Sequence, residues 1–265
     1  MIPKGLGYFI KNGFLFIRGI YYKGDSYSCP VCEGRFRKFL PGGFDLPVLK
    51  QKQVVGGGFR ENLICPRCLS TDRDRLIMLF LKQKSDFFTK PNKVLHIAPE
   101  PSLYKIFKKS KNLDYVPGTK YLEGFYYSNK LLSLDVTTLP FDDDTFDYVI
   151  ANHLLEHIED DHKAMREIHR VLKPEGKAIL QVPIALALEQ TYENNKVQTP
   201  KERERHFGQF DHVRLYGKDY AQRLEKAGFK VVKYKPGTPD WPMEHPDIYA
   251  LNKNEYLYVA FKTRK

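Results

Sequence analysis

The sequence predicts an α/β fold with a doubly wound, mostly parallel sheet, preceded by a small four-cysteine zinc module. Two features of the stretch Leu132 to Pro183 carry the sheet. First, FDYVIA at 146–151 has the length and apolarity of a buried strand, stopped by the polar pair Asn152-His153. Second, from Asp160 onward Ala164, Met165, Ile168, Val171 and Leu172 recur at helical spacing, before the apolar run from Ala178 to Val182. Strands joined by a helix pair in parallel through right-handed crossovers. The third feature is in the first quarter: Cys29-Pro30-Val31-Cys32 and Cys65-Pro66-Arg67-Cys68 contain all four cysteines of the chain.

Each cysteine pair forms a tight knuckle that points two thiolates at one centre, and two knuckles complete a four-sulfur zinc site. Cys29, Cys32, Cys65 and Cys68 are therefore the expected metal ligands, and a closed set of four leaves no open position for catalysis. After the second knuckle, Ser70-Thr71-Asp72 starts a helix bearing Leu76, Ile77, Leu79 and Phe80. Arg73 and Arg75 fall in its first turn, where the helix dipole disfavours cations, so each is expected to have an anionic partner: Asp72 and Asp74 beside them, or a ligand. Domain organisation follows: residues 1–85 as the N-terminal segment, zinc module and following helix, and 86–265 as the α/β domain, with 185–216 inserted over its crevice.

Within that domain, Lys93 to Ile97 is the first strand, and Pro101 suits the first turn of the helix that carries Leu103, Ile106 and Phe107. A loop between strand and helix is the usual seat of a nucleotide-like cofactor, but the chain has neither G-x-G-x-x-G nor a P-loop lysine motif there. Leu113 to Pro117 is the second strand and Leu132 to Val136 the third. Lys173-Pro174-Glu175-Gly176 ends the helix begun at Asp160, Pro because it cannot continue one and Gly because it accepts a positive φ. Beyond Pro183 a polar stretch gathers His206, Gln209, Asp211, His212, Arg214 and Tyr216, groups able to orient or deprotonate a substrate. A helix over Lys218 to Ala227, capped by Gly228, then a strand FKVVKY and a last strand from Tyr256 to Phe261 close the chain.

The 265 residues leave room for one good core and an appendage, and 42% hydrophobic with 28% charged residues excludes a disordered chain. A formal net charge of +11 favours an anionic partner. No stretch approaches the roughly 18–20 apolar residues needed to span a bilayer, so stable membrane insertion is not expected. The apolar and aromatic N-terminus, interrupted by Lys11, Asn12 and Arg18, lacks a cleavage site and is expected to pack on the zinc module, with peripheral membrane contact as the other use of it. A cytoplasmic, reducing compartment follows as the expectation.

Asp135 with Leu139-Pro140-Phe141, Phe146-Asp147, Asn152-His153-Leu154-Leu155-Glu156-His157 and Leu172-Lys173-Pro174-Glu175-Gly176 together resemble a class I S-adenosylmethionine-dependent methyltransferase of the type 11 group, a Rossmann-like fold. The cysteine knuckles and the segment from Phe36 to Gly43 resemble a zinc-ribbon leader found on some bacterial members. The resemblance implies S-adenosylmethionine as cofactor. Asp135 and Val136 would sit beside the adenine, Asp135 accepting from its exocyclic amine. Asn152 and His153 would lie near the methionine part and the methyl group, and Ala98, Pro99 and Glu100 would pass under the carboxypropyl end. The chain departs from the family pattern at two places: His96 stands where an acid is usual, in a loop without glycines, and Thr119 replaces the expected ribose carboxylate, with Glu123 the nearest acid.

Methyl transfer to a hydroxyl or amine needs positioning and removal of a proton. His153, His157, His206 and His212 are the candidate bases, because histidine titrates near working pH. Three readings follow, headed by O- or N-methylation of a small-molecule or glycan acceptor, anionic in keeping with the basic charge. RNA methylation ranks behind it, since no basic stripe with interleaved aromatics stands out. Third is a non-catalytic binding protein on a methyltransferase fold, which rests on the departure at His96 to Glu100.

Overall fold

A computed structural model describes residues 4–120 and 131–264. Its main sheet has seven strands: β1 (Asn92–Ile97), β2 (Leu113–Thr119), β3 (Leu132–Ser133), β4 (Phe146–Asn152), β5 (Leu172–Gln181), β6 (Phe229–Tyr234) and β7 (Leu257–Lys262). Their order across the sheet is β6-β7-β5-β4-β1-β2-β3. Strands β1 to β5 pair in parallel, and β7 runs against both its neighbours. The chain moves outward from β1 to β3, then returns to β4 on the other side of β1. The crevice outside the carboxyl ends of β1 and β4 is thus the topological switch point of a doubly wound sheet.

Alternation along the central strands shows why both faces are covered. Leu95, Val149, Ala151, Ala178 and Leu180 join one core with Met165, Ile168 and Tyr220. Val94, Tyr148, Ile150 and Ile179 join the other with Leu76, Phe80, Phe107 and Trp241. The helices supplying these layers are α2 (Asp72–Gln83), α3 (Pro101–Phe107), α4 (Asp161–Val171) and α6 (Tyr220–Lys226), with α1 (Lys4–Tyr21) at the front and α5 (Pro200–Phe207) beyond the sheet. In α4 the periodic residues Ala164, Met165, Ile168 and Val171 are all fully buried. Asp160 caps it, accepting from the Lys163 N–H at 2.8 Å.

Two local expectations need correction. The positive φ after α4 belongs to Glu175 (φ 66), not to Gly176. Gly176 is needed for another reason: a Cβ there would come within 2.8 Å of the Lys173 carbonyl oxygen. Strand β3 stops at Ser133, short of Val136, because the Asp135 side chain accepts from the Thr137 N–H at 2.9 Å and from its hydroxyl at 2.7 Å, folding the chain into a turn.

The N-terminal segment is bound into the same body. Cys29 and Cys65 belong to the core that covers one face of the sheet, and Val54–Val55 pairs antiparallel with Ile184–Ala185 just past β5. That second contact brings Gly56 and its neighbours to the carboxyl end of the sheet. In helix α1 Leu15 is buried, Gly19 faces the Arg67 side chain, and the Arg18 Nε donates to the Pro66 carbonyl at 2.7 Å. Helix α2 opens on a capping box between Thr71 and Asp74.

The first-turn arginines resolve differently from one another. Arg75 is fully buried, stacks on Phe39 and donates to the carbonyls of Leu63, Ser70, Asn62, Tyr249 and Ala250. Its partners are thus backbone oxygens from three segments, not the adjacent carboxylates. Asp72 is taken by Arg60 at 2.8 Å. Arg73 keeps a buried Nε with no hydrogen-bond partner.

Candidate active site

At the carboxyl ends of β1 and β4 two loops meet. Ala98, left-handed at φ 52, turns the chain out of β1 while its N–H donates to the Gly118 carbonyl at 2.8 Å. Pro99 carries the loop to Glu100, the N-cap of α3. Glu100 then reaches back: His96 Nε2 lies 3.0 Å from one carboxylate oxygen, and Asn152 Nδ2 donates to the other at 2.6 Å. His96 is fully buried, with Nδ1 2.9 Å from the Tyr115 hydroxyl. Burial works against a charge on Glu100, but the hydrogen bond and charge of His96 outweigh it and hold the carboxyl below its usual range. An acid therefore stands at the end of β1 after all, four residues later than the family pattern places it. The other oxygen-bearing end of Asn152, Oδ1, is buried without a hydrogen-bond partner.

The remaining expected cofactor residues flank this point. Thr119 is buried at the end of β2, its carbonyl accepting from the Leu134 N–H at 3.0 Å. Glu123 lies outside the described residues. Val136 is buried in the core. Asp135 binds Lys120 at 3.0 Å besides Thr137, and the Thr137 hydrogen bonds, before the Lys120 pair, bring it down to about 2. The Glu100 carboxylate and the orphaned Asn152 Oδ1 are acceptors of the kind that the ammonium of S-adenosylmethionine would need.

A cavity of about 260 Å³ has a wall that includes Gly56, Arg73, His153, Glu156, His157 and His212. His153 sits at φ 52, a conformation uncommon for a residue with a side chain, and its N–H donates to the Gln181 carbonyl at 2.7 Å. Its Nδ1 is 3.1 Å from Glu156 Oε1, while Nε2 is buried without a partner. A Cβ on Gly56 would lie 3.6 Å from that Nε2. Asp211, itself bound by Gln209 at 2.8 Å, lies 3.2 Å from His157 Nδ1. The His157 and His212 rings meet edge to face at 4.7 Å. Burial, then the Arg73 charge, push His153 down to about 4, and burial also lowers His212. Burial opposes the Glu156 charge, yet the three surrounding imidazoles hold it at about 2. At neutral pH this is an anionic carboxylate beside the neutral imidazole of His153. Glu156, His157 and His212 also bring ligand atoms within 4.8 Å of one another, close enough to share a metal ion.

Three of the four candidate bases thus converge, and His206 stands apart on α5 with Nδ1 2.9 Å from the Tyr192 hydroxyl. Arg214 and Tyr216 are structural. Buried Arg214 binds Glu193 at 2.8 Å and the carbonyls of Leu155, Ile158 and Glu159, and the Tyr216 hydroxyl donates to Asp161 at 2.7 Å. Sequence reasoning missed Glu156 and Gly56 as site residues. It flagged Arg73 through its conflict with the helix dipole, but not the cavity that Arg73 faces.

The four cysteines fit zinc on their geometry. Cys29 and Cys68 sulfurs are 3.6 Å apart and those of Cys32 and Cys65 3.8 Å. Zinc–sulfur bonds of about 2.3 Å in a tetrahedron need sulfurs about 3.8 Å apart. Ser70 Oγ lies 3.2 Å from Cys29 Sγ and 3.1 Å from Cys68 Sγ, within hydrogen-bond reach of both sulfurs.

Residues 88–180, which carry the switch-point crevice and both ends of the Glu100–Asn152 contact, match the family described as methyltransferase domain. The match covers about a third of the chain, which over that stretch is similar to a methyltransferase domain. The chain is similar to the demethylmenaquinone methyltransferase of Bacillus subtilis, 37% identical over 70 residues, covering 26% of this chain and 30% of that protein. It is also similar to a sterol 4-C-methyltransferase of Caenorhabditis elegans, 45% identical over 51 residues, 19% of this chain and 15% of that one. The matched segment thus spans under a third of these relatives' lengths. Among solved structures, the 1,6-didemethyltoxoflavin-N1-methyltransferase of Burkholderia thailandensis superposes with a TM-score of 0.38 at 16% identity, covering 66% of this chain and 73% of that one. Among the described residues, no helix is long and apolar enough to cross a membrane.

Proposed function

We propose that this chain transfers a methyl group from S-adenosylmethionine to an oxygen or nitrogen of a small, anionic molecule or glycan, with His153 as the base. The observation that carries the reading is one juxtaposition: His153 and Arg73, each with a buried nitrogen that has no hydrogen-bond partner, line one cavity, and His153 follows Asn152 directly at the end of β4. Bound S-adenosylmethionine supplies an electrophilic methyl on a sulfonium. Glu100 and Asn152 would hold its amino-acid end, with the loop Ala98-Pro99 beneath, and Thr119, Asp135 and Val136 its adenosine. Arg73 takes an anionic group of the acceptor, and His153 accepts the acceptor's proton at Nε2. Glu156, through His153 Nδ1, holds the imidazole in the tautomer that leaves Nε2 free and stabilises the imidazolium once formed. His157 and His212 complete the wall.

In this reading the first 85 residues are a wall and not a separate machine: zinc on Cys29, Cys32, Cys65 and Cys68 fixes the module, and the Val54–Val55 pairing delivers Gly56 to the cavity. The segment 185–216 covers the site through Gln209 to His212. Four free thiols around zinc suit a reducing, cytoplasmic compartment. The matched relatives named for quinone and sterol substrates support a small-molecule acceptor over RNA.

The test is transfer of radiolabel from S-adenosylmethionine to fractionated anionic metabolites and glycans. Label is expected in one acceptor fraction, lost on His153→Ala and retained on His206→Ala. Equal labelling by His153→Ala, His157→Ala and His212→Ala variants would remove the base from the mechanism.

A further inference from the structure

From Ile10 to Tyr21, helix α1 buries one of its sides and exposes the other. Ile10, Phe14, Phe16, Ile17, Ile20 and Tyr21 are each more than half exposed. At 100° per residue they fall within an arc of roughly 160° that holds no charged residue. The opposite side buries Leu15 and is fixed to the second cysteine knuckle by Gly19 against Arg67 and by Arg18 on the Pro66 carbonyl. Such a continuous apolar face is unusual on a helix already anchored by its other side.

The surroundings of this face are cationic. Lys11 lies along one flank, while Phe16 and Ile20 on the other border a groove with Lys23, Arg35 and Arg67. Arg37 stacks on the Tyr21 ring at 4.7 Å. Across residues 10–38 six basic side chains face two acidic ones, Asp25 and Glu33, and those two are already paired with Arg35 and Lys82. A second copy of the chain laid on this face would bring like charges together. An anionic surface would neutralise them.

We infer that α1 is an in-plane membrane anchor that docks the protein on an anionic lipid surface. An 18-residue helix is about 27 Å long, enough to lie along the boundary between headgroups and acyl chains with Phe and Ile below and Lys and Arg at the phosphates. Each cation near such a surface adds attraction that salt screens. The inference does not depend on methyl transfer.

The experiment is sedimentation of the full-length, zinc-loaded protein with vesicles of equal phosphatidylglycerol and phosphatidylcholine, and with phosphatidylcholine alone. Binding to the anionic vesicles is expected, at least tenfold stronger than to the neutral ones and weakened by salt. The doubly substituted Phe14→Glu/Ile17→Glu protein, altered only at exposed side chains, is expected to lose it at least tenfold with unchanged zinc content and circular dichroism. Undiminished binding by that variant overturns the inference, as does absence of binding by the unaltered protein. A concentration-dependent dimer abolished by the same variant, without vesicle binding, overturns it in favour of a second copy.

Discussion

Asn152 and Glu100 join the ends of β4 and β1 by a hydrogen bond of 2.6 Å, so the two loops of the crevice are tied to each other before any cofactor arrives. His96, on β1 itself, holds the same carboxylate. Replacing Glu100 by Ala leaves both donors buried and unsatisfied, which costs about 1–3 kcal/mol for each group left unpaired. The Glu100→Ala protein is expected to melt earlier and to gain less stability from added S-adenosylhomocysteine than the unaltered protein. Thermal denaturation with and without that ligand measures both effects.

His153 titrates low because burial, and then Arg73, disfavour its charge, bringing it to about 4. A base with that value is already deprotonated through the physiological range. The rate of methyl transfer is therefore expected to be flat from pH 6 to 8 and to fall only as the pH drops towards 4. His153→Ala should lower kcat by about 10²–10⁴, the usual worth of a general base, with the KM for S-adenosylmethionine little changed. An inflection near the ordinary histidine value would assign the base elsewhere.

Glu255 is buried against Gln181, and burial, then the Asp72 charge, push its carboxyl up to about 7. The folded state therefore holds a proton that the unfolded chain releases near the ordinary glutamate value. Stability from this group is full below that value and is lost as the pH rises to about 7. Glu255→Gln removes the penalty while keeping an acceptor for Gln181. Denaturant titration is expected to show the variant about 2–3 kcal/mol more stable at pH 8 and no more stable than the unaltered protein at pH 4.

One zinc per chain is expected by elemental analysis. Cys32→Ser should release it and unfold the module, because the binding free energy of a closed thiolate site is folding free energy. Since Cys29 and Cys65 share a core with the sheet, the loss should also lower the melting temperature of the whole chain. Retained zinc in Cys32→Ser would contradict the four-sulfur site.

Much of this was legible from pattern alone. The period of Ala164, Met165, Ile168 and Val171 located α4, and the paired knuckles located the four sulfurs, because both signals are local. The cavity was only half legible. His153, His157 and His212 stood out as residue types, yet Glu156 stood only as one letter of the family motif, and Gly56 reaches the site through pairing of Val54–Val55 with Ile184–Ala185, some 130 residues apart. The acid at Glu100 was hidden by position: the family pattern directs attention to 96, while the chain supplies its carboxylate after the turn at Ala98. Arg75 misled in the opposite sense, since its five carbonyl partners come from segments no spacing rule connects.

The most direct test of the crevice as a cofactor site is calorimetric titration of the zinc-loaded protein with S-adenosylmethionine and S-adenosylhomocysteine. Saturable binding of both, one per chain and at least tenfold weaker in Asn152→Ala, is the expected result. No heat with either ligand would contradict the methyl-transfer reading and leave the fold as a binding scaffold.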